Sequence, residues 1–182
     1  MMGTLRAVPA QSRPDLLADP VRDALRDWSR ADEVTVAEID PALADTAAFC
    51  AAYQVGLDVS ANCVVVAGKR EGQLRYAACV LLATTRADVN GVVRRLLDVR
   101  KASFAPMDTA VAETGMEYGG MTPIGLPVGW LVLVDSAVAA TPDVIIGSGR
   151  RASKLALPGK ALVDLPGAEV VAGLAGPPLP RS

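Results

Sequence analysis

Apolar positions along this chain repeat with two different periods. Leu17, Val21, Ala24, Leu25 and Trp28 fall three or four residues apart, which predicts a helix from about Asp19 to Arg30 with one buried face. VTVAEI (34–39) alternates as a half-buried strand does. Asp45 to Tyr53 reads as a helix of small residues, with Gly56 beyond it suited to the left-handed C′ position. NCVVVAG (62–68) and LRYAACVLLATT (74–85) are apolar runs of strand length, and the turn Lys69-Arg70-Glu71-Gly72-Gln73 between them predicts a hairpin. Asp88 to Leu97 is amphipathic: Val89, Val92, Val93, Leu96 and Leu97 face inward, and Arg94 and Arg95 outward.

The second half continues with a short strand near Ala102–Phe104 and a short helix from Met107 to Thr114, closed by Gly115. A Gly/Pro loop, EYGGMTPIGLPVG (117–129), follows. WLVLVD (130–135), DVIIGSG (143–149) and SKLALP (153–158) read as strands, Ala161–Leu165 as a short helix and AEVVAGL as a last strand. Strands outnumber helices and several connections are tight. This predicts a mixed α/β domain around a curled or partly closed sheet rather than a regular βαβ alternation. Residues 1–18, with Pro9 and Pro14, are expected to form a flexible arm, residues 19–172 the domain, and residues 173–182, ending GLAGPPLPRS, a flexible tail.

Composition narrows the chemistry. Of the 182 residues 51% are hydrophobic and 21% charged, enough apolar surface to build a core and too little charge for a disordered chain. Aromatics are 4%, so the core must be aliphatic and a platform of base-stacking rings is not expected. There is no histidine. That excludes His-ligated zinc, the Ser-His-Asp triad and the Cys-His dyad. Cys50, Cys63 and Cys79 show no Cys-x-x-Cys spacing and are expected to be reduced, buried small hydrophobes. The start lacks an apolar run behind a basic end, and no window of about 18 uncharged apolar residues occurs, so a cytoplasmic protein with no membrane partner is expected.

The net charge of −2 is unevenly spread. Residues 1–60 hold five Arg against ten acidic residues, and residues 61–182 hold 13 basic against 10 acidic. Arg86, Arg94, Arg95, Arg100 and Lys101 form one basic cluster, and Arg150, Arg151, Lys154 and Lys160 another. Such patches suit either a locally held polyanion or plain solvation.

Two glycine segments stand out. In Thr114–Gly125 (TGMEYGGMTPIG), paired glycines allow close approach to a ligand, and the exposed N–H groups of such a loop can bind an anion or a developing oxyanion. In Ile146–Arg151 (IGSGRR), a strand ends in glycines followed by two guanidinium groups; a phosphate site and a plain turn fit equally well. Neither is a P-loop or a Gly-x-Gly-x-x-Gly fingerprint.

Taken in order, the strand Asn62–Ala67, the segment 76–106, the loop TGMEYGGMTPIG (114–125) and the turn GSGRRASKLALP (147–158) resemble the YbaK family, the prolyl-tRNA-synthetase-associated editing domain, over roughly Ala44 to Val171. The most specific piece is the loop, where family members show Thr-Gly, then Gly-Gly, then Ser/Thr-Pro-x-Gly. The resemblance implies an α/β fold: a single domain with a mixed, barrel-like sheet surrounded by helices. It implies a free-standing deacylase that hydrolyses the ester of mischarged tRNA, without metal or cofactor. The acceptor end of aminoacyl-tRNA is the implied partner, with an aminoacyl-tRNA synthetase as a second candidate. On this basis Asn62, Gly119, Gly120 and Thr122 are the expected catalytic positions. Pro123, Gly125, Gly147, Ser148, Gly149, Arg151 and Lys154 are the expected substrate-binding positions. Two departures qualify this. The family has a lysine where this chain has Asn62, which cannot supply a charge, and a glycine where it has Ala152. Lys69 and Lys154 are the nearest substitutes in sequence. A non-catalytic member that binds a tRNA end, a nucleotide or a synthetase is the alternative, and a hydrolase of another small ester is a third reading.

Overall fold

The computed structural model describes residues 2–178; residue 1 of the expected arm and residues 179–182 of the expected tail lie outside them. Eleven short strands form three sheets among these residues. In the first, β1 (Ala7–Pro9), β2 (Thr35–Glu38), β9 (Ser153–Leu157) and β8 (Val144–Gly147) lie in that order, all antiparallel. The second runs β10 (Ala168–Val171), β7 (Leu131–Asp135), β4 (Gln73–Leu82), β3 (Ala61–Arg70), β6 (Ala102–Phe104), with β10–β7 and β7–β4 parallel. The expected hairpin is β3–β4, whose ladder runs from Ala61↔Leu82 to Arg70↔Gln73. β5 (Arg86–Ala87) and β11 (Ala175–Gly176) make a small third sheet. The mixed α/β domain is thus as expected, but its sheets do not close into a barrel among the described residues.

Aliphatic packing holds these layers together. α1 (Asp19–Asp27) buries Val21 and Leu25 with Leu17, each worth roughly 1.5–3 kcal/mol. They join Val36, Val134, Ile146 and Leu155 in the largest core cluster. On the other face of the five-stranded sheet, Val66, Cys79 and Leu133 pack beneath Val93, Leu97 and Val99. α2 (Thr46–Tyr53) sets Phe49 and Cys50 against Ile145 and Ala156.

Two local outcomes differ from the sequence pattern. The expected helix 88–97 is π-helical over Val89–Val93 and α-helical only at α3 (Arg94–Leu96). Asp88 accepts hydrogen bonds from Gly91 N at 2.9 Å and Val92 N at 3.1 Å, which draws the first turn around its carboxylate. The segment expected to be a flexible arm pairs as β1 and buries Ala10, Leu16, Leu17 and Ala18. Leu17 belongs to the apolar face already predicted for α1, but the other short apolar stretches between prolines carry no periodicity, so their burial is not visible in sequence. In the expected tail, Leu174 is likewise fully buried.

Candidate functional site

Besides their shared core, the two main sheets are joined by one isolated bridge among the described residues. Ser60, just before β3, bridges Ile145 of β8 in parallel, and Ile145 N–H donates to Val59 O at 2.8 Å. Beyond it β3 pairs with β6 only from Val66 on, and β8 pairs with β9. Between these contacts residues 61–65 of β3 have no ladder partner on that edge. Asn62 and Gly147 each lie two residues past the bridged pair, about 6–7 Å along their strands, and so stand at the same level.

The paired-glycine loop is docked against Gly147. α4 (Met107–Thr114) ends at Gly115, which takes the left-handed conformation with φ +68°. From there, Glu117 N–H donates to Gly149 O at 2.9 Å, and Gly149 N–H donates to Gly120 O at 2.7 Å. Arg151 N–H donates to Glu117 Oε2 at 2.7 Å. These bonds lace the two glycine segments together. A Cβ at Gly147 would lie 2.5 Å from Gly120 O and closer still to Met121 O, and one at Gly120 would lie 2.7 Å from the Arg150 carbonyl carbon. Both glycines are therefore required by backbone-to-backbone contact.

This assigns several expected binding residues to packing instead. Ser148 is fully buried; its hydroxyl lies 3.1 Å from both Arg150 O and Ser153 O and accepts from Arg150 N–H at 3.2 Å. Ser153 Oγ, 2.7 Å from it, donates to Leu16 O at 2.6 Å. Fully buried and with its one proton directed to internal carbonyl oxygens, Ser148 offers no donor to a substrate. Gly149 backs onto Ala18 and Val21, and a Cβ at Gly125 would lie 2.6 Å from the Pro20 carbonyl carbon. Gly120 is also not a free donor, because its N–H is bonded to Glu117 O at 3.0 Å. Pro123 and Gly125 line a cavity of about 720 Å³ with Trp28, Trp130 and Leu165, on the α1 side of the loop.

Much of the loop leaves its donors unspent. Among the described residues, the amides of Tyr118, Gly119, Met121, Thr122, Ile124, Gly125 and Leu126 donate to no other group. Thr122 is fully buried, and its Oγ1 is the one buried side-chain polar atom without a partner among those residues. Arg151 lies over this stretch: Nη1 donates to Tyr118 O at 3.2 Å and Nε to Pro41 O at 3.3 Å, with Asp45 Oδ1 4.0 Å away. Its guanidinium occupies the space a side chain at Gly119 would need.

Asn62 and Lys154 both reach the start of α2. Asn62 Oδ1 accepts from Thr46 Oγ1 at 2.7 Å. Lys154 stands opposite Gly147 in the β8–β9 ladder, donates from Nζ to Ala44 O at 3.0 Å, and lies 5.1 Å above the Phe49 ring. Burial lowers its pKa, Cys50 opposes that shift, and nearby Arg151 adds to it. Asn62, Arg151 and Lys154 thus meet around the segment that leads into α2, and Arg151 also lies against Tyr118 and Gly119 of the glycine loop. Asp45, Thr46, Glu117 and Tyr118, not picked from sequence, position them. Nothing in the sequence flags these four, because each acts across a long-range contact.

The cysteines are not part of it. Cys63 keeps some exposure as a residue, but its thiol is enclosed, and burial raises its pKa far above the usual thiol range. Burial pushes Cys79 up to about 12. Among the described residues no cluster of three His, Cys, Asp or Glu side chains forms, and no helix is long and apolar enough to cross a membrane.

The fold is shared with solved structures. A protein provisionally described as a trans-editing enzyme for prolyl tRNA synthetase superposes with a TM-score of 0.71 at 21% identity, covering 85% of this chain and 94% of that one. The hypothetical protein APE2540 gives 0.72 at 21% identity, covering 84% and 99%. A scaffold used for computational grafting of linear epitopes gives 0.72 at 21%, covering 85% and 95%. At that identity the likeness speaks for architecture: the mixed α/β editing-domain fold. Residues 40–165 match the model of the aminoacyl-tRNA editing domain, and the chain belongs to that family.

Proposed function

We propose that this protein is an aminoacyl-tRNA deacylase that removes the amino acid from mischarged tRNA by ester hydrolysis. Family membership supports the substrate class. The observation that carries the reading is the set of unspent amides at Gly119, Met121 and Thr122, in a loop that Arg151 lies against. Preorganised N–H donors stabilise the negative charge that develops on an ester carbonyl oxygen under attack, without any titratable side chain. In this reading water adds to the ester carbonyl and the C–O bond to the ribose breaks. The ribose oxygen takes a proton, and the amino acid leaves as its carboxylate. The vicinal ribose hydroxyl of the substrate relays the proton, a role this histidine-free chain has no imidazole to fill. Arg151 and Lys154 hold the terminal phosphate as cations, and Lys154 supplies from β9 the charge that Asn62 does not. Asn62 orients the ribose through its carboxamide.

The test is release of amino acid from a panel of mischarged tRNAs. Release from at least one, lost in Lys154→Met and Arg151→Met, is expected; no release from any at high protein concentration overturns the reading. One observation favours a second reading, a binding protein without turnover: Asn62 is uncharged, and its Oδ1 is already engaged by Thr46. It predicts tight tRNA binding and no gain of release in Asn62→Lys.

A further inference from the structure

Arg13, Arg22, Arg26, Arg30, Arg70, Arg75 and Arg151 each lie within 4.0 Å of an Asp or Glu oxygen. The other cations among the described residues make no ion pair, and four of them gather around one groove. Where β3 ends and the chain enters β6, a cavity of about 670 Å³ is lined by Lys69, Arg94, Arg100 and Lys101, with Asn90 and Ser103 adding polar groups. No carboxylate lines it, and among the described residues none of the four cations is in an ion pair. Lys69, Arg100 and Lys101 are exposed. Asp98 is engaged by Arg70 and Arg75, and Glu71 lines an adjoining cavity with Lys69, Arg70 and Arg100.

The fold creates this concentration of charge. Gly68 lets Val99 and the Lys101 carbonyl press onto β3, for a Cβ there would lie 2.7 Å from Lys101 O. That contact brings Arg100 and Lys101 beside Lys69, thirty residues away in sequence order. Arg94 is oriented by its Nε hydrogen bond to Asn90 O at 2.8 Å. Four like charges around one groove on a chain of net charge −2 repel each other, and that repulsion is relieved by a polyanion.

The groove does not include Asn62 but lies on the same strand. Asn62, Val64, Val66 and Gly68 share one face of β3 by the period of two. Six residues separate Asn62 from Gly68, about 20 Å at strand rise. That is a span of a few nucleotides.

We propose that this groove binds the sugar-phosphate backbone of the acceptor arm of tRNA while the 3′ terminus lies beside Asn62; the inference rests on the deacylase reading for the choice of RNA. Phosphates pair with Lys69, Arg94, Arg100 and Lys101, and no base is read. The test uses full-length protein and uncharged tRNA, with affinity measured across a salt series. Lys69→Gln/Arg100→Gln/Lys101→Gln is expected to weaken binding about 10- to 100-fold near physiological salt and to lower the slope of log K against log salt by up to about 2–3. Arg22→Gln/Arg26→Gln on α1, which also removes positive charge, is expected to leave both unchanged. Turnover of a short aminoacylated CCA oligonucleotide, too short to reach the groove, is expected to be unaffected by the triple variant. Equal affinity and slope in wild type and triple variant overturn the proposal, as does an equal loss in the α1 control. Groove-dependent tRNA binding with no amino acid release from any substrate would instead refute the deacylase reading and leave the groove standing.

Discussion

Gly147→Ala isolates the claim that glycines at the site exist for backbone contact. Gly147 is not in the left-handed region, so alanine meets no φ penalty there. The whole effect is steric. The added methyl would sit 2.5 Å from Gly120 O and nearer to Met121 O, about 1 Å inside ordinary contact. Neither side yields easily. Gly147 is held in the β8–β9 ladder opposite Lys154, and the 119–122 loop is tied by the Gly149 N–H to Gly120 O bond. Moving the loop breaks that bond, at about 1 kcal/mol, on top of roughly 1–3 kcal/mol for overpacking. The expected loss is about 2–4 kcal/mol, or roughly 4–16 °C in Tm for a chain of this size. Gly176→Ala is the control, since nothing lies within 4 Å of its Cβ position and its φ is not positive. Urea and thermal unfolding of the three proteins measure the difference. A Gly147→Ala protein as stable as Gly176→Ala would refute the packing argument, and the glycine there would have to be explained by ligand approach instead.

Lys154 makes stability pH-dependent. Its folded pKa lies below the ordinary 10.5, so below the folded value the cost of its burial is fully present. As pH rises from there toward 10.5 the unfolded chain holds more protons and stability climbs. The buried thiols act oppositely above pH 9.0, so the quantity to follow is wild type minus Lys154→Met, which should rise through this window; a flat difference refutes it. Because burial raises all three thiol pKa values, native protein at pH 8 should react slowly with a disulfide reagent, with three thiols appearing on denaturation. Cys63→Ala should retain its deacylation rate, and a complete loss would make that thiol a nucleophile. Asn62→Lys should raise turnover, and in the Lys154→Met background restore it; failure of the double variant to recover would separate the two positions.

Hairpin β3–β4, the Val21/Leu25 face of α1 and the aliphatic core were legible from residue order, because each rests on a period of apolar positions or a turn signal between neighbours. So was the glycine loop as a constrained turn, since Gly-Gly and Pro constrain the backbone locally. The roles within it were not. Gly120, Gly125, Gly147, Ser148 and Gly149 carried the same sequence signal as Gly119. Only the distances across the two loops and to α1 show that the first five serve packing or internal bonding. Lys69, Arg100 and Lys101 likewise look like separate surface charges until β3 and the 99–101 segment are pressed together at Gly68. Periodicity and turn chemistry act over a few residues and can be read from order alone. Whether an amide is spent or free, and whether a cation has a partner, depends on atoms brought together from distant parts of the chain, which exist as neighbours only once the chain has folded.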